Sequence, residues 1–536
     1  MKEFFAVIFL VVACVAICDA QEKAQWQEDL KYLTEQLPLK HPNAFHSVSR
    51  EQFQSAVREL NEEIPNLNRN QIIAGMMRIV SLIGDGHTSF SPLHDASLGF
   101  HYLPVQLYLY KDGLFVQKAM PEFKELVGAR VISIGNASAE QAYHAVAELT
   151  PHDNEMGIRS FAPVYMVIPE VLHGLGFNDS EESVKFVFEV NGQRIDKILR
   201  PVGKIVPLQQ GGPMDTEGWA NAVASVPLYL KQRHEPYWFE YLPESKMLYM
   251  QYNQIRDKKD ETVADFCKRV FEFAENHIVE KFVLDVRFNL GGNNYLNKPV
   301  LVGLIQSRKI NQRGKLFVII GRNTFSAAQN LVNEIEKYTN AVFVGEPTAE
   351  NVNFYGDHEP IILPNSKIPV MVSTLWWQNM DPRDHRKWTS PQISAELTSL
   401  DYKSGIDPAL ESILRCKYDS VAEALEAPLQ AGDSALMGDA FKHFVQDPSH
   451  QCVNVERELN SLGYQLIEND RIQLAIEIFK MNVEAFPSSG NVYDSLGEAY
   501  LKAGQKTLAI ENYRKALQLN PANSNVKRIL DELSRE

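Results

Sequence analysis

The chain has 536 residues, 45% apolar and 23% charged, which is a globular composition and excludes a disordered or fibrous protein. Its formal net charge of −15 excludes a general nucleic-acid binder, because phosphate contacts need a basic face. The length exceeds what one core supports and implies roughly three or four folded units.

The chain opens with Lys2 and an apolar run from Phe4 to Ile17, followed by Cys18-Asp19-Ala20 before Gln21. This pattern predicts a cleaved secretory signal over residues 1–20, and so an extracellular or periplasmic protein. A buried N-terminal helix and a lipoprotein signal around Cys14 are the alternatives. Residues 21–95 predict a helical domain. Trp26, Leu30, Leu33 and Leu37 share a helical face that Pro38 should end, and Ser49 should cap a second helix carrying Phe53, Val57 and Leu60. A third helix runs from Asn70 through Ile72, Met76, Ile79 and Val80 to Gly84-Asp85-Gly86-His87-Thr88. Residues 96–205 alternate and turn like a small β-rich module with a helix from Ala139 to Leu149. Residues 206–245, with Gly211-Gly212-Pro213, predict a connector. Residues 246–415 have α/β texture: strands at Phe282–Phe288, Leu316–Ile320 and Ala341–Val344 alternate with helices at Tyr295–Gln306 and Ala327–Tyr338. That alternation implies a parallel sheet with right-handed crossovers.

Residues 416–455 carry Pro428, Gly432 and Pro448 and predict a linker. The tail then repeats itself at a 34-residue offset. Leu462-Gly463 recurs as Leu496-Gly497, Ala475-Ile476-Glu477 as Ala509-Ile510-Glu511, Phe479 as Tyr513 and Pro487 as Pro521. This pattern over residues 456–536 resembles the tetratricopeptide repeat, which implies a protein partner, and Asn523–Arg535 should form a capping helix. Once the signal is removed, Cys267, Cys416 and Cys452 remain. Cys416 and Cys452 flank the linker and are the candidate disulfide, three free thiols being the alternative. No Cys/His cluster has zinc spacing, and no cofactor is expected. Asn136-Ala137-Ser138 and Asn178-Asp179-Ser180 are glycosylation sequons in a eukaryotic setting.

Three pieces carry chemistry. Ser326, in Asn323-Thr324-Phe325-Ser326-Ala327-Ala328, follows a buried strand and opens a helix, whose free N–H groups can hold an oxyanion. An ordinary helix cap is the plainer reading of that serine. The strand Leu284–Phe288 runs into Asn289-Leu290-Gly291-Gly292, where glycines let the backbone approach a ligand. His87 sits in a loop between turn residues, as a general base should.

Together these pieces resemble the C-terminal processing peptidases, or tail-specific proteases, and in particular their tricorn-core-like branch. The resemblance covers roughly residues 25–415. It is strengthened by Val344-Gly345-Glu346-Pro347-Thr348, Pro391-Gln392-Ile393, Asp401-Tyr402 and Gly405-Ile406-Asp407-Pro408. It implies a PDZ-like module followed by a crotonase/ClpP-like α/β catalytic domain. It further implies a serine-type peptidase that acts on peptides or proteins and forms an acyl-enzyme. One branch of the family pairs serine with lysine, but Asn351 stands at the lysine position, and an amide cannot deprotonate serine. The resemblance therefore implies Ser326 as nucleophile, His87 as base, and Asp384 or Asp381 as the acid. The oxyanion hole would use N–H groups of Ala327 and of Gly291 or Gly292. A homo-oligomer is compatible with this family. A non-catalytic protein that binds lipophilic ligands or peptides on the same scaffold, with Trp376-Trp377 lining its pocket, is the competing expectation.

Overall fold

The apolar stripes of the N-terminal segment fold as three helices, Lys2–Lys40, Arg50–Glu63 and Arg69–Ser81. A computed structural model describes residues 2–93, 96–206 and 214–533, with side chains from Ala20 onward. Of the segment expected as a signal over residues 1–20, the backbone of residues 2–20 belongs to the first helix and the side chains before Ala20 lie outside what is described, as does the Gly211-Gly212-Pro213 turn. Among the described residues no helix is long and apolar enough to cross a membrane. Trp26, Leu30, Leu33 and Leu37 are buried as expected, but the first helix continues through Pro38 to Lys40. A proline this close to a helix end removes only one hydrogen bond. Ser49 and Asn68 each close a capping box, with Gln52 and Gln71, which fixes where the next two helices begin.

Residues 105–199 form an antiparallel sheet, extended by Ala220–Asn221 from the expected connector. Its helix, Ala139–Ala147, starts from a capping box between Ser138 and Gln141.

The second sheet has six strands. Their order is Tyr237–Leu242, Met247–Tyr252, Lys281–Asp285, Leu316–Ile320, Val342–Gly345 and Ile393–Ser394. The first pair is antiparallel and every later pair parallel, so this sheet begins at Tyr237, inside the expected connector. Helices Val263–Asn276, Lys298–Gln306 and Ala327–Tyr338 make the crossovers. Leu316–Ile320 is buried at all five positions, which is why it reads as an unbroken apolar run. The strand expected to reach Phe288 stops at Asp285, whose carboxylate accepts the Arg287 N–H at 3.0 Å and turns the chain. The parallel strands deliver the loops 286–292, 321–326 and 346–351 to one edge, where α/β sheets bind ligands. A separate hairpin, Phe354–Ile362 with Pro369–Trp377, pairs through Met371 with Ser89 beside the His87 loop.

Residues 412–536 form a second unit with its own core. Helices Val455–Glu468, Ile472–Ala485, Gly490–Lys502 and Lys506–Leu519 are the two repeats, followed by Ser524–Leu533 at the expected cap. The 34-residue register places Gly463 against Phe479 and Gly497 against Tyr513. The segment 416–455 is not a linker. It folds as the helices Val421–Ala431 and Ser434–Gln446, whose Leu425, Leu429 and Phe444 share one core with Leu459 and Leu462. The breakers misled because Gly432 is a C-cap at φ +67° and Pro448 lies beyond the second helix. Cys416 and Cys452 form a disulfide with Cα atoms 6.0 Å apart, and Cys267 is free and buried.

Two glycines test this packing. A Cβ on Gly463 would come within 2.4 Å of the Phe479 ring, whereas one on Gly438, mid-helix, meets nothing within 4 Å. Gly438→Ala should stabilise the second unit by about 0.5–1 kcal/mol through helix propensity. Gly463→Ala should destabilise it by about 1–3 kcal/mol through overpacking. Chemical denaturation of the two variants beside the parent checks both signs.

Candidate active site

Ser326 sits between the strand Leu316–Ile320 and the helix Ala327–Tyr338. It does not cap that helix with its side chain, and its backbone stands at φ 55°, ψ −127°. Such geometry costs a non-glycine residue about 1–3 kcal/mol and turns the side chain outward. Neighbouring bonds enforce it. Phe325 N–H donates to Asn289 O at 3.0 Å, and the Thr324 hydroxyl donates to Val286 O at 3.0 Å. The serine loop is thereby fastened to the glycine loop.

His87 Nε2 lies 3.1 Å from Ser326 Oγ, across 239 residues of sequence. The imidazole stacks on Phe325 at 4.5 Å between centroids. Asp85 holds its loop: one carboxylate oxygen accepts the N–H groups of His87 at 2.9 Å and Thr88 at 2.6 Å, and the Ser373 hydroxyl at 2.7 Å. The other oxygen is 2.8 Å from His41 Nε2. His41 Nδ1 accepts the Asn43 N–H at 2.9 Å, so the His41 ring proton is on Nε2 and donates to Asp85. Burial works against charge on Asp85, but the hydrogen bond and the charge interaction with His41, followed by the hydrogen bonds from Ser373 and Thr88, more than offset it and hold its pKa below the ordinary value.

The carboxylate that faces His87 is Glu350. Its Oε1 lies 3.1 Å from His87 Nδ1, at an angle that leaves both atoms without a proper hydrogen bond, and its Oε2 accepts the Ser326 N–H. Glu350 is fully buried, and burial first, then the charge of Asp85, raises its pKa well above the usual carboxyl range. Burial lowers the pKa of His87. Asp153, partly accessible, accepts the Gly86 N–H at 2.8 Å.

Asp381 and Asp384 are elsewhere. Asp381 pairs with Arg383 at 2.8 Å and Asp384 with Arg386 at 2.8 Å, and neither carboxylate turns to His87. The arginine two residues after each aspartate captures it. Glu350 carried no expectation of its own. Its signal was an acid set between Ala349 and Val352, which are buried beside it.

The glycine turn abuts the serine. A Cβ on Gly291, at φ +100°, would approach Ser326 Cβ to 2.7 Å and Ala327 N to 3.0 Å. A Cβ on Gly292, at φ +137°, would come within 2.3 Å of Ile255 O. Gly291 N–H donates to Asn289 Oδ1 at 2.9 Å, whereas no acceptor is found among the described residues for the N–H of Gly292 or of Ala327. Among the described residues no group of three or more His, Cys, Asp or Glu is placed to hold a metal.

A sequence-family model described as tetratricopeptide repeat matches residues 490–523. No curated protein matches the sequence. Solved structures are similar in fold. Mature CPAF complexed with lactacystin superposes with a TM-score of 0.52 at 11% identity, covering 73% of this chain and 98% of that one. A mutant of CPAF gives 0.53 at 11% identity, covering 73% and 96%. The photosystem II D1 C-terminal processing protease matches at 12% identity over 72% of this chain and 98% of that one, with a TM-score of 0.33. The chain thus has a mixed α/β fold of the CPAF kind, with a C-terminal helical repeat region.

The strain at position 326 is measurable without any substrate. Ser326→Gly should unfold at higher denaturant than Ser326→Ala, by about 1 kcal/mol, because glycine tolerates positive φ and the gain exceeds its added chain entropy. Equal midpoints would mean that the backbone is relaxed there.

Proposed function

We propose that the protein is a secreted serine-type peptidase that hydrolyses peptide or protein substrates through an acyl-enzyme on Ser326. The observation that carries this reading is the 3.1 Å approach of His87 Nε2 to Ser326 Oγ at a strained, outward-turned serine. His87 accepts the Ser326 proton as the hydroxyl attacks, then gives it to the leaving amine. Glu350, not Asp381 or Asp384, is the acid. It orients the imidazole through Nδ1 and stabilises the imidazolium that forms. Its other oxygen holds the Ser326 N–H and so keeps the serine loop and the histidine in one frame. The N–H of Ala327 and of the Gly291-Gly292 turn receive the oxyanion. Gly292 has the open donor at rest, and each such donor is worth on the order of 10²–10³ in rate.

The same reading assigns residues 96–205 to a PDZ-like module, the parallel sheet to a crotonase/ClpP-like catalytic layer, and residues 1–20 to a cleaved signal. The repeats recruit a protein partner, because stacked helix pairs present a concave surface suited to one.

A fluorophosphonate probe should label the parent protein and fail to label Ser326→Ala, which should also lose peptide hydrolysis. Absence of labelling in folded parent protein would favour the ligand-binding alternative. Glu350→Gln should reduce kcat by about 10²–10⁴, the loss expected when the orienting acid is neutralised. Asp381→Asn and Asp384→Asn should stay near parental activity.

The pH profile has a definite sign. The base must be neutral to act, and burial keeps His87 neutral to lower pH than an ordinary imidazole of pKa 6.5. The acid limb of kcat/KM should therefore fall below about pH 6.5. A limb at alkaline pH would point to a lysine base.

A further inference from the structure

The Ser326–His87–Glu350 arrangement leaves one carboxyl without a task. Asp153 precedes the helix Glu155–Tyr165 and reaches the site from outside the catalytic sheet. Its Oδ2 accepts the N–H of Gly86, next to His87, and its Oδ1 lies 3.4 Å from Asn351 Nδ2, next to Glu350. It thus touches both chain segments that supply the base and the acid. Asn351, at the position where related enzymes place a lysine, here serves as its partner.

We propose that Asp153 is a positioning residue of this site, and that Asp153 and Glu350 hold one proton between them while His87 is neutral. This rests on the triad reading for the role of Glu350, but not for the count of charges. Asp85 is ionised, with three N–H or O–H donors on one oxygen and the His41 N–H on the other. His41 contacts Asp85 through Nε2, and its Nδ1 accepts the Asn43 N–H. Full ionisation of Asp153 and Glu350 would then add two buried negative charges beside that of Asp85, a severe desolvation cost. Asp357 and His358, on the hairpin strand Phe354–Ile362, also face this cluster. The His358 ring is 6.2 Å from that of His87, and Asp357 adds negative charge. Asp153 and Glu350 have the fewest donors. Each receives one backbone N–H, Asp153 adds only the long Asn351 contact, and Glu350 Oε1 has no hydrogen bond. Two such groups in one site titrate as a pair, so a proton on either lets the other ionise. With the proton on Asp153, Glu350 is the anion that faces His87.

Infrared difference spectra of the full-length protein at neutral pH test the pair directly. The parent should show the carbonyl stretch of one protonated carboxylic acid, absent from both Asp153→Asn and Glu350→Gln, because either substitution lets the remaining carboxyl ionise. A band that survives in one variant would assign a lone acid to the other residue, and a parent without the band would mean both carboxyls are charged. Either result overturns the proposal, and neither depends on turnover. Kinetics add a second readout. The shared pair and the lone Glu350 of Asp153→Asn carry the same single charge, so the acid limb should coincide in the two proteins. Were both carboxyls charged in the parent, removing one would move the limb toward lower pH. Asp153→Ala should lower kcat roughly tenfold or more by releasing Gly86, and Asp153→Asn should recover most of that loss. A catalytically silent protein with the expected bands would sink the peptidase reading alone.

Discussion

The carboxylate of Asp85 is the constraint on which the geometry of the site depends. It binds four donors from three separate stretches of chain: its own loop, His41 at the end of the first helix, and Ser373 on the hairpin. A buried anion so fully satisfied is costly to disturb, because the loss of any donor leaves charge uncompensated in a low-dielectric interior. The loop it holds therefore has little freedom, and His87 inherits that rigidity. An imidazole held by its own loop alone would sample many positions, and fixing it beside Ser326 would cost that entropy.

The serine side solves the matching problem by backbone strain. Parallel strands end together, so their following loops crowd one edge of the sheet. There the Thr324 hydroxyl and the carbonyl of Asn289 tie the serine loop to the glycine loop. Ser326 is forced to positive φ, and Gly291 and Gly292 accept the close approach that results. The sheet core supplies the stability that this strain opposes: its central strands are buried on both faces. Rigid strands and strained loops are thus two consequences of one topology.

The acids around the site are sorted by their neighbours. At the surface, Asp381 and Asp384 each meet an arginine within the same turn and remain solvated ion pairs. Within the site, among the described residues, no arginine or lysine contacts Glu350 or Asp85, so burial, hydrogen bonds and the neighbouring imidazoles and carboxyls govern them. A chain with an excess of acidic residues can place several of them inside only if donors or protons accompany them.

The sequence alone determined what depends on local chemistry and periodicity. The 34-residue offset set the register of the repeats, because helix pairs pack only where small residues such as Gly463 recur opposite Phe479. The run Leu316–Ile320 announced a strand buried on both faces, and the Gly291-Gly292 pair announced a close backbone approach. Ser326 and His87 could be singled out by their loop settings. Tertiary structure alone decided which carboxylate meets the histidine. Asp381, Asp384 and Glu350 all follow the serine in sequence, and nothing in linear order says which side chain turns inward. The same holds for residues 416–455, where Pro428 and Gly432 read as a linker until the core shared by Leu425 and Leu459 outweighed them. In each case the deciding quantity was the burial of one segment against another distant in sequence. Burial is a property of the packed chain, and no window of residues contains it.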